Sequence, residues 1–162
     1  MSGRLRHGIW AFAVAALALA IDQASKAWIL RVAGPGGLGP TIPGPLHFTL
    51  VDNTGISYGL LQGGDVTRWL LAAFALAVSV GLAVWAWRAE KFITAIGLGL
   101  ILGGALGNVS DRVLRGAVVD FLDARAIHFP WIFNPADSAI TVGIILLLLE
   151  SLLAPRQPAP GA

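Results

Sequence analysis

Four long apolar runs, at roughly 8–33, 69–87, 92–110 and 138–154, leave this chain little choice of solvent. Each is close to or above the ~20 residues that cross a hydrocarbon core at 1.5 Å per residue. Inside lipid a backbone must satisfy its own N–H and C=O groups, so each run reads as a helix rather than an open strand. Charged residues make up only 12% of the 162 and mean hydropathy is +0.76, against about 25% charged in a soluble domain. The expectation is an all-α membrane protein: one four-helix transmembrane domain over 1–154 and a short cytoplasmic tail at 155–162.

Tryptophans mark the ends of two runs, Trp10 with Trp28 and Trp69 with Trp85 and Trp87, as an interfacial belt does. An even number of spans puts both termini on one side. Lys and Arg tie between the sides: Arg4, Arg6, Arg88, Lys91 and Arg156 against Arg31, Arg68, Arg112, Arg115 and Arg125. Arg4 and Arg6 precede the first span with no acid among them, and the first helix usually dominates topology, so both ends read as cytoplasmic. Those arginines, the apolar stretch from Ile9 and "ALA" at 18–20 also resemble a cleavable signal peptide. The apolar pattern runs on through Trp28 to Val32, which favours an uncleaved first helix.

Two connections on the face opposite the termini are long. Residues 34–67 begin "GPGGLGPTIPGP", which cannot be helical, and continue "LHFTLVDNTGISYGLL", whose β-branched and aromatic residues suggest short strands. Residues 111–137 hold two more such runs, Val118–Phe121 and Trp131–Phe133. A small extramembrane sheet or cradle is expected there. The link at 88–91 is a tight turn.

Several chemistries drop out. With no cysteine, disulfides, thiolate nucleophiles and Cys-ligated metals are excluded. His7, His47 and His128 are scattered with no ligand spacing, so no metal and no cofactor is expected. The basic residues form no run or stripe on a net charge of +2, and nucleic-acid binding gets no support.

The few polar groups are unevenly placed. Asp22 and Lys26 lie four apart within the first span, on one helix face where each can neutralise the other. Asn108 and Asp111 close the third span, with Arg112 next; Asp120 stands in "VVDF", Asn53 in "DNTG", and Asp137 opens the fourth span in "FNPADSAI". Isolated polar groups in lipid cost several kcal/mol as a rough figure, so a gathering at one depth implies mutual contact or a wet pocket. Asp137 has a plain structural reading as well. Asn134 can cap the helix, Pro135 fits its first turn, and Asp137 falls at the positive end of the dipole.

A Ser–Lys mechanism would need Ser57 or Ser110 to reach Lys26, since Ser25 points away from its neighbour. Two aspartates sharing a proton around one water need only to be brought together, and Asp120 and Asp137 are the natural pair. Asp111 is the rival, with Asn108 and Arg112 as ready structural partners.

"DQASK" at 22–26, "NTGISYG" at 53–59, "GGALGNVSDR" at 103–112, "GAVVDF" at 116–121 and "FNPADSAI" at 133–140 resemble, in order and spacing, the blocks of lipoprotein signal peptidase, the bacterial signal peptidase II family. The resemblance covers about residues 8–154. It implies a four-helix aspartyl endopeptidase of the bacterial inner membrane with a small periplasmic β-cradle. That family cleaves prolipoprotein signal peptides before the diacylglyceryl-modified cysteine, without a cofactor. The resemblance places the catalytic pair at Asp120 and Asp137. It assigns pocket support or substrate binding to Asp22, Lys26, Asn53, Gly55, Asn108, Asp111, Arg112, Asn134 and Ala136. The partners are then diacylated prolipoproteins and membrane lipid, with no nucleic acid, and a monomer is expected. Departures from the family pattern are Pro135, which would stiffen the approach to Asp137, and Ile56, Ser57 and Tyr58, which would alter a substrate-facing surface.

Intramembrane Asp and Lys also mark small transporters and proton relays. Such a protein would spread titratable groups through the membrane depth, whereas here they cluster at one end. A non-catalytic lipid-binding subunit would keep the fold and the ligand but cut nothing.

Overall fold

In the computed structural model, residues 3–33, 47–55 and 64–153 are described. Four helices, α1 (Gly3–Val32), α2 (Asp65–Trp87), α3 (Phe92–Arg115) and α4 (Pro135–Leu153), are each long and apolar enough to cross a membrane. The "ALA" of 18–20 lies in the middle of the unbroken α1. The expected tail at 155–162 and the substitutions at Ile56, Ser57 and Tyr58 lie outside the described residues.

α3 is the hub. It packs against each of the other three helices and buries half of its most apolar stretch, compared with 11–28% for its neighbours. Glycine allows this closeness. A methyl group on Gly103 or Gly104 would run into the backbone of α1 at Ala15 or of α4 at Ala136, so the bare Cα is what lets three backbones meet. Helices in lipid gain little from apolar burial against each other and associate through such close van der Waals packing. The outer faces carry half- to fully exposed Leu, Val and Phe, among them Phe74, Leu114 and Leu152, as lipid contact requires. Trp10, Trp85 and Trp87 lie at the terminal end and Trp28 and Trp69 at the other, all roughly half exposed.

α3 extends through Arg115, beyond the apolar run that ended at residue 110. Gly116 stops it, with φ +91° and its N–H donated back to the carbonyls of Asp111 and Arg112. Arg68 of α2 caps the same end, donating from Nε to Arg112 O (2.5 Å) and from Nη2 to Val113 O (2.8 Å). Asp111 and Arg112 are therefore helical residues, not loop residues. α2 likewise starts at Asp65, four residues before its apolar run.

A three-stranded antiparallel sheet in the order β1–β2–β3 sits where α1 and α3 end and α2 and α4 begin: β1 (His47–Asn53), β2 (Val118–Asp123) and β3 (Ile132–Phe133). Strand alternation sends Val119 and Phe121 of β2 onto Ile29 of α1, forming a small core with Phe48, Leu50 and Leu122. Asp120, between them in sequence, faces the other way.

Candidate active site

The first layer of the site is a charge cluster buried between α1 and α3. Lys26 is fully buried, and its three ammonium hydrogens meet three acceptors: Asp22 Oδ2 at 2.8 Å, Asp111 Oδ2 at 2.7 Å and Asn108 Oδ1 at 3.3 Å. The expected Asp22–Lys26 pair is present, four residues apart on one face. Asp22 reaches further, accepting the Ala136 N–H at 3.0 Å through Oδ1 and so tying α1 to the start of α4. Asp111 accepts Arg115 Nη1 at 2.6 Å and the Val119 N–H at 3.2 Å, which anchors β2 to α3. Its partners are thus Lys26, Arg115, Val119 and Gln23 rather than the Arg112 and Asn108 that its sequence neighbourhood suggested. Gln23 bridges the two acids, its amide donating to Asp22 Oδ2 and Asp111 Oδ1.

Three asparagine amides form the next layer. Asn108 donates from Nδ2 to Asp137 Oδ1 at 2.9 Å. Asn134 donates from Nδ2 to Asp120 Oδ1 at 2.7 Å and to Asn108 Oδ1 at 3.2 Å. Asn53 donates from Nδ2 to Asp120 Oδ2 at 3.0 Å, while its own Oδ1 accepts the Gly55 N–H at 3.1 Å. Gly55 is fixed in turn through its carbonyl by Arg112 Nη2 at 2.7 Å. The strand register makes the Asn53–Asp120 contact possible: Asn53 pairs with Val118, so Asp120 is its diagonal neighbour on the same face.

Asp137 does cap its helix. Its N–H donates to Asn134 Oδ1 at 2.9 Å, and its Oδ2 accepts the Asn134 N–H at 3.3 Å, a reciprocal capping box around Pro135. One face of the carboxyl group belongs to the helix terminus and the other to the site.

Asp120 and Asp137 line one cavity of about 590 Å³. Asn53 shares its polar end; Phe129, Trp131, Ile132 and Phe133 form one wall, and Ser138, Ile140, Thr141 and Val142 of α4 the other. Burial first, and the nearby Asp137 charge second, push the Asp120 carboxyl up to about 6 from an ordinary 3.8, against the pull of the Asn53 and Asn134 hydrogen bonds and the Lys26 charge. That is the direction an acid–base carboxyl needs in order to hold a proton near neutral pH.

The residues singled out from sequence all converge here. Asp120 and Asp137 face the cavity, Asn53, Asn108 and Asn134 hold them, and Asp22, Lys26, Asp111, Arg112, Gly55 and Ala136 brace those amides from behind. Sequence reasoning passed over Gln23, Arg68 and Arg115. Gln23 carried a readable signal as an amide inside an apolar run; Arg68 and Arg115 looked like ordinary boundary charges. A lysine base for a serine nucleophile finds no support among the described residues. Ser25 Oγ and Ser110 Oγ donate to backbone carbonyls of their own helices, and Lys26 is enclosed by acids. Ser57 is outside the described residues.

The family Signal peptidase (SPase) II matches residues 14–153. The lipoprotein signal peptidase of Caulobacter vibrioides is 51% identical over 152 residues, covering 92% of this chain and 90% of that protein. That of Methylorubrum extorquens is 47% identical, covering 87% and 85%. A bacterial membrane enzyme solved by the in meso method at 2.3 Å superimposes with a TM-score of 0.78 at 28% identity, over 91% of this chain and 93% of that one. A second, solved at 1.9 Å, gives 0.74 at 31% identity, over 90% and 94%. With nearly the whole chain matched in sequence and in fold, the protein belongs to the signal peptidase II family.

Proposed function

We propose that Asp120 and Asp137 are the catalytic dyad of this protease and that it hydrolyses prolipoproteins at the bond before the diacylglyceryl-modified cysteine. The carrying observation is that both carboxyls border one cavity and are held by the same residue, Asn134, which donates to Asp120 and forms the capping box with Asp137. A dyad must keep its separation within a fraction of an ångström, and a shared bracket supplies that.

In the proposed reaction one carboxylate takes a proton from a water held between the pair. The resulting hydroxide equivalent attacks the scissile carbonyl carbon, and the protonated partner polarises the carbonyl oxygen. Collapse of the tetrahedral species breaks the C–N bond as the amide nitrogen receives a proton, so the dyad ends with the single proton it began with. No cofactor takes part. The mixed cavity suits the substrate, since its apolar walls accept lipid and small side chains while Asn53 and the carboxyls meet the peptide.

The orientation follows the same reading. Both termini are cytoplasmic, the dyad lies near the periplasmic face of the inner membrane, and the enzyme acts as a monomer on substrates that arrive laterally through lipid. The test is cleavage of a diacylated prolipoprotein by purified enzyme in detergent. The wild type cuts at the modified cysteine, and Asp120→Asn and Asp137→Asn each lose about 10²–10⁴-fold or more in rate while retaining wild-type helicity. Near wild-type turnover by either variant would remove that residue from the dyad.

A further inference from the structure

The aromatic wall of the cavity is carried by the loop between β2 and β3. Between β2 and β3 the chain makes a 3₁₀ turn at Arg125–Ile127, reverses at His128 with φ +62°, and returns through Phe129 and Trp131. β3 pairs through two residues, Phe133 with Leu122 and Ile132 with Asp123, and Ala124 N–H donates across the neck to Trp131 O at 3.4 Å. So short a pairing is marginal by itself.

What fixes the loop's departure is Asp123, a buried carboxylate outside the cavity. Its Oδ2 accepts Thr49 Oγ of β1 at 2.9 Å and Arg125 Nη2 at 2.5 Å; its Oδ1 accepts the Arg125 N–H at 3.1 Å and Nε at 2.9 Å. The two oxygens therefore join the sheet to the first residue of the turn, with the aspartate folding its own chain two residues on. From there the wall stacks edge to face, Phe129 on Trp131 at 4.6 Å and Phe129 on Phe133 at 6.0 Å, so its direction is inherited from the Asp123 anchor. The Arg125 hydrogen bonds hold the Asp123 carboxyl well below the usual carboxylate range, which keeps the anchor charged at working pH.

We propose that Asp123, with Thr49 and Arg125, is a positioning residue that sets the aromatic wall against the apolar part of the substrate and so governs its apparent affinity and not the chemical step. This rests on the reading of the cavity as the active site. The side-chain bonds of the anchor run to Thr49 and Arg125 and not to Asp120, Asp137 or their three amides.

The test is steady-state cleavage of one diacylated prolipoprotein in fixed detergent by wild type, Asp123→Asn, Thr49→Val, Trp131→Ala and the double variant Asp123→Asn/Trp131→Ala. Asp123→Asn and Thr49→Val should each raise KM roughly three- to tenfold, the scale of one or two hydrogen bonds, with kcat and both limbs of its pH profile unmoved. Because Asp123 acts through the wall, the double variant should show no further rise in KM beyond Trp131→Ala. A fall in kcat at unchanged KM, an unchanged KM in folded protein, or additive effects in the double variant would each overturn the proposal. Should Asp123→Asn fail to fold, Thr49→Val carries the same prediction, because it removes a single bond to the same carboxylate. Absence of cleavage by the wild type would instead sink the reading of the function.

Discussion

Replacing Asp120 by Asn should change not only activity but the pH dependence of stability, by an amount the site dictates. Burial, and after it the Asp137 charge, raise the Asp120 carboxyl to about 6 from 3.8. A group whose folded value is raised contributes stability that is complete below the unfolded value and is lost as pH climbs through the folded one. Two units at about 1.4 kcal/mol each, part of which is already lost at pH 4, make the loss between pH 4 and pH 7 roughly 2–3 kcal/mol. The amide has no such titration. Its cost is constant: both Asp120 oxygens now accept amide N–H groups, from Asn134 and Asn53, and an NH₂ in place of one of them sets donor against donor for about 1–3 kcal/mol. Wild type should therefore be the more stable protein at pH 4 and lose that lead by pH 7. Unfolding in mixed micelles by an alkyl sulfate, whose headgroup stays charged throughout, followed by helicity at pH 4, 5, 6 and 7, measures the difference. Other titrations occur in both proteins and cancel, apart from their coupling to Asp120. A difference constant within about 0.5 kcal/mol, or one that grows in the wild type's favour with rising pH, would refute the assigned environment of Asp120.

Gly107→Ala should cost roughly 1–3 kcal/mol and most of the activity, since its Cβ would lie 2.5 Å from Asp22 Oδ2 and displace the carboxylate that holds Lys26 and the Ala136 N–H. Gly81→Ala, with nothing within 4 Å, should be neutral or stabilising by up to about 1 kcal/mol through helix propensity; thermal unfolding of the two variants side by side checks both. Cleavage rate should follow a bell in pH whose two limbs belong to the Asp120–Asp137 pair and to neither residue alone; a rate still climbing into the alkaline range contradicts a one-proton dyad. EDTA should leave turnover unchanged, and activity lost to it and restored by zinc would reveal a metal in the mechanism.

How much of this was legible in the sequence depended on the physical signal each feature leaves. Apolar length marks what lies in lipid, so all four helices could be read. It does not mark where a helix stops, and "DRVLR" at 111–115 looked like loop because it is charged. It is helix because Asp111 is neutralised by Lys26 from α1 and by Arg115 four residues on, and because the left-handed Gly116 ends the turn only there. The polar residues of the site were visible as exceptions within an apolar chain. Their pairings were not: whether Asp111 meets Arg112 or Lys26 is decided by how α1 sits on α3, which rests on glycine contacts with no periodic signature. The Thr49–Asp123 bond was equally hidden, because an irregularity between Phe48 and Val51 shifts the register of β1 against β2.

The direction of two of the side-chain amide bonds reaching the cavity aspartates, those from Asn108 and Asn134, follows from one buried cation. Lys26 can only donate, so the Asn108 atom beside it has to be the oxygen. With Oδ1 turned to Lys26, the Asn108 amide nitrogen necessarily faces Asp137 Oδ1. The same oxygen accepts Asn134 Nδ2, which fixes that amide as well: its nitrogen also serves Asp120, and its oxygen is left to take the Asp137 N–H. Asn53 is set independently, because the Gly55 N–H claims its oxygen and leaves Nδ2 for Asp120. Three of the four carboxyl oxygens thus receive an N–H from a side-chain amide that cannot flip without stranding a buried donor against Lys26 or a backbone N–H, and the fourth, Asp137 Oδ2, takes the Asn134 backbone N–H. Exchanging Lys26 for a neutral residue of similar size would remove the reason for that polarity while touching neither aspartate. It would also leave Asp22 and Asp111 buried without their shared cation, a loss of about 3–5 kcal/mol for a broken buried pair. The lysine inside the first span is therefore needed twice over, to make the α1–α3 packing tolerable and to orient amides that it reaches only through Asn108.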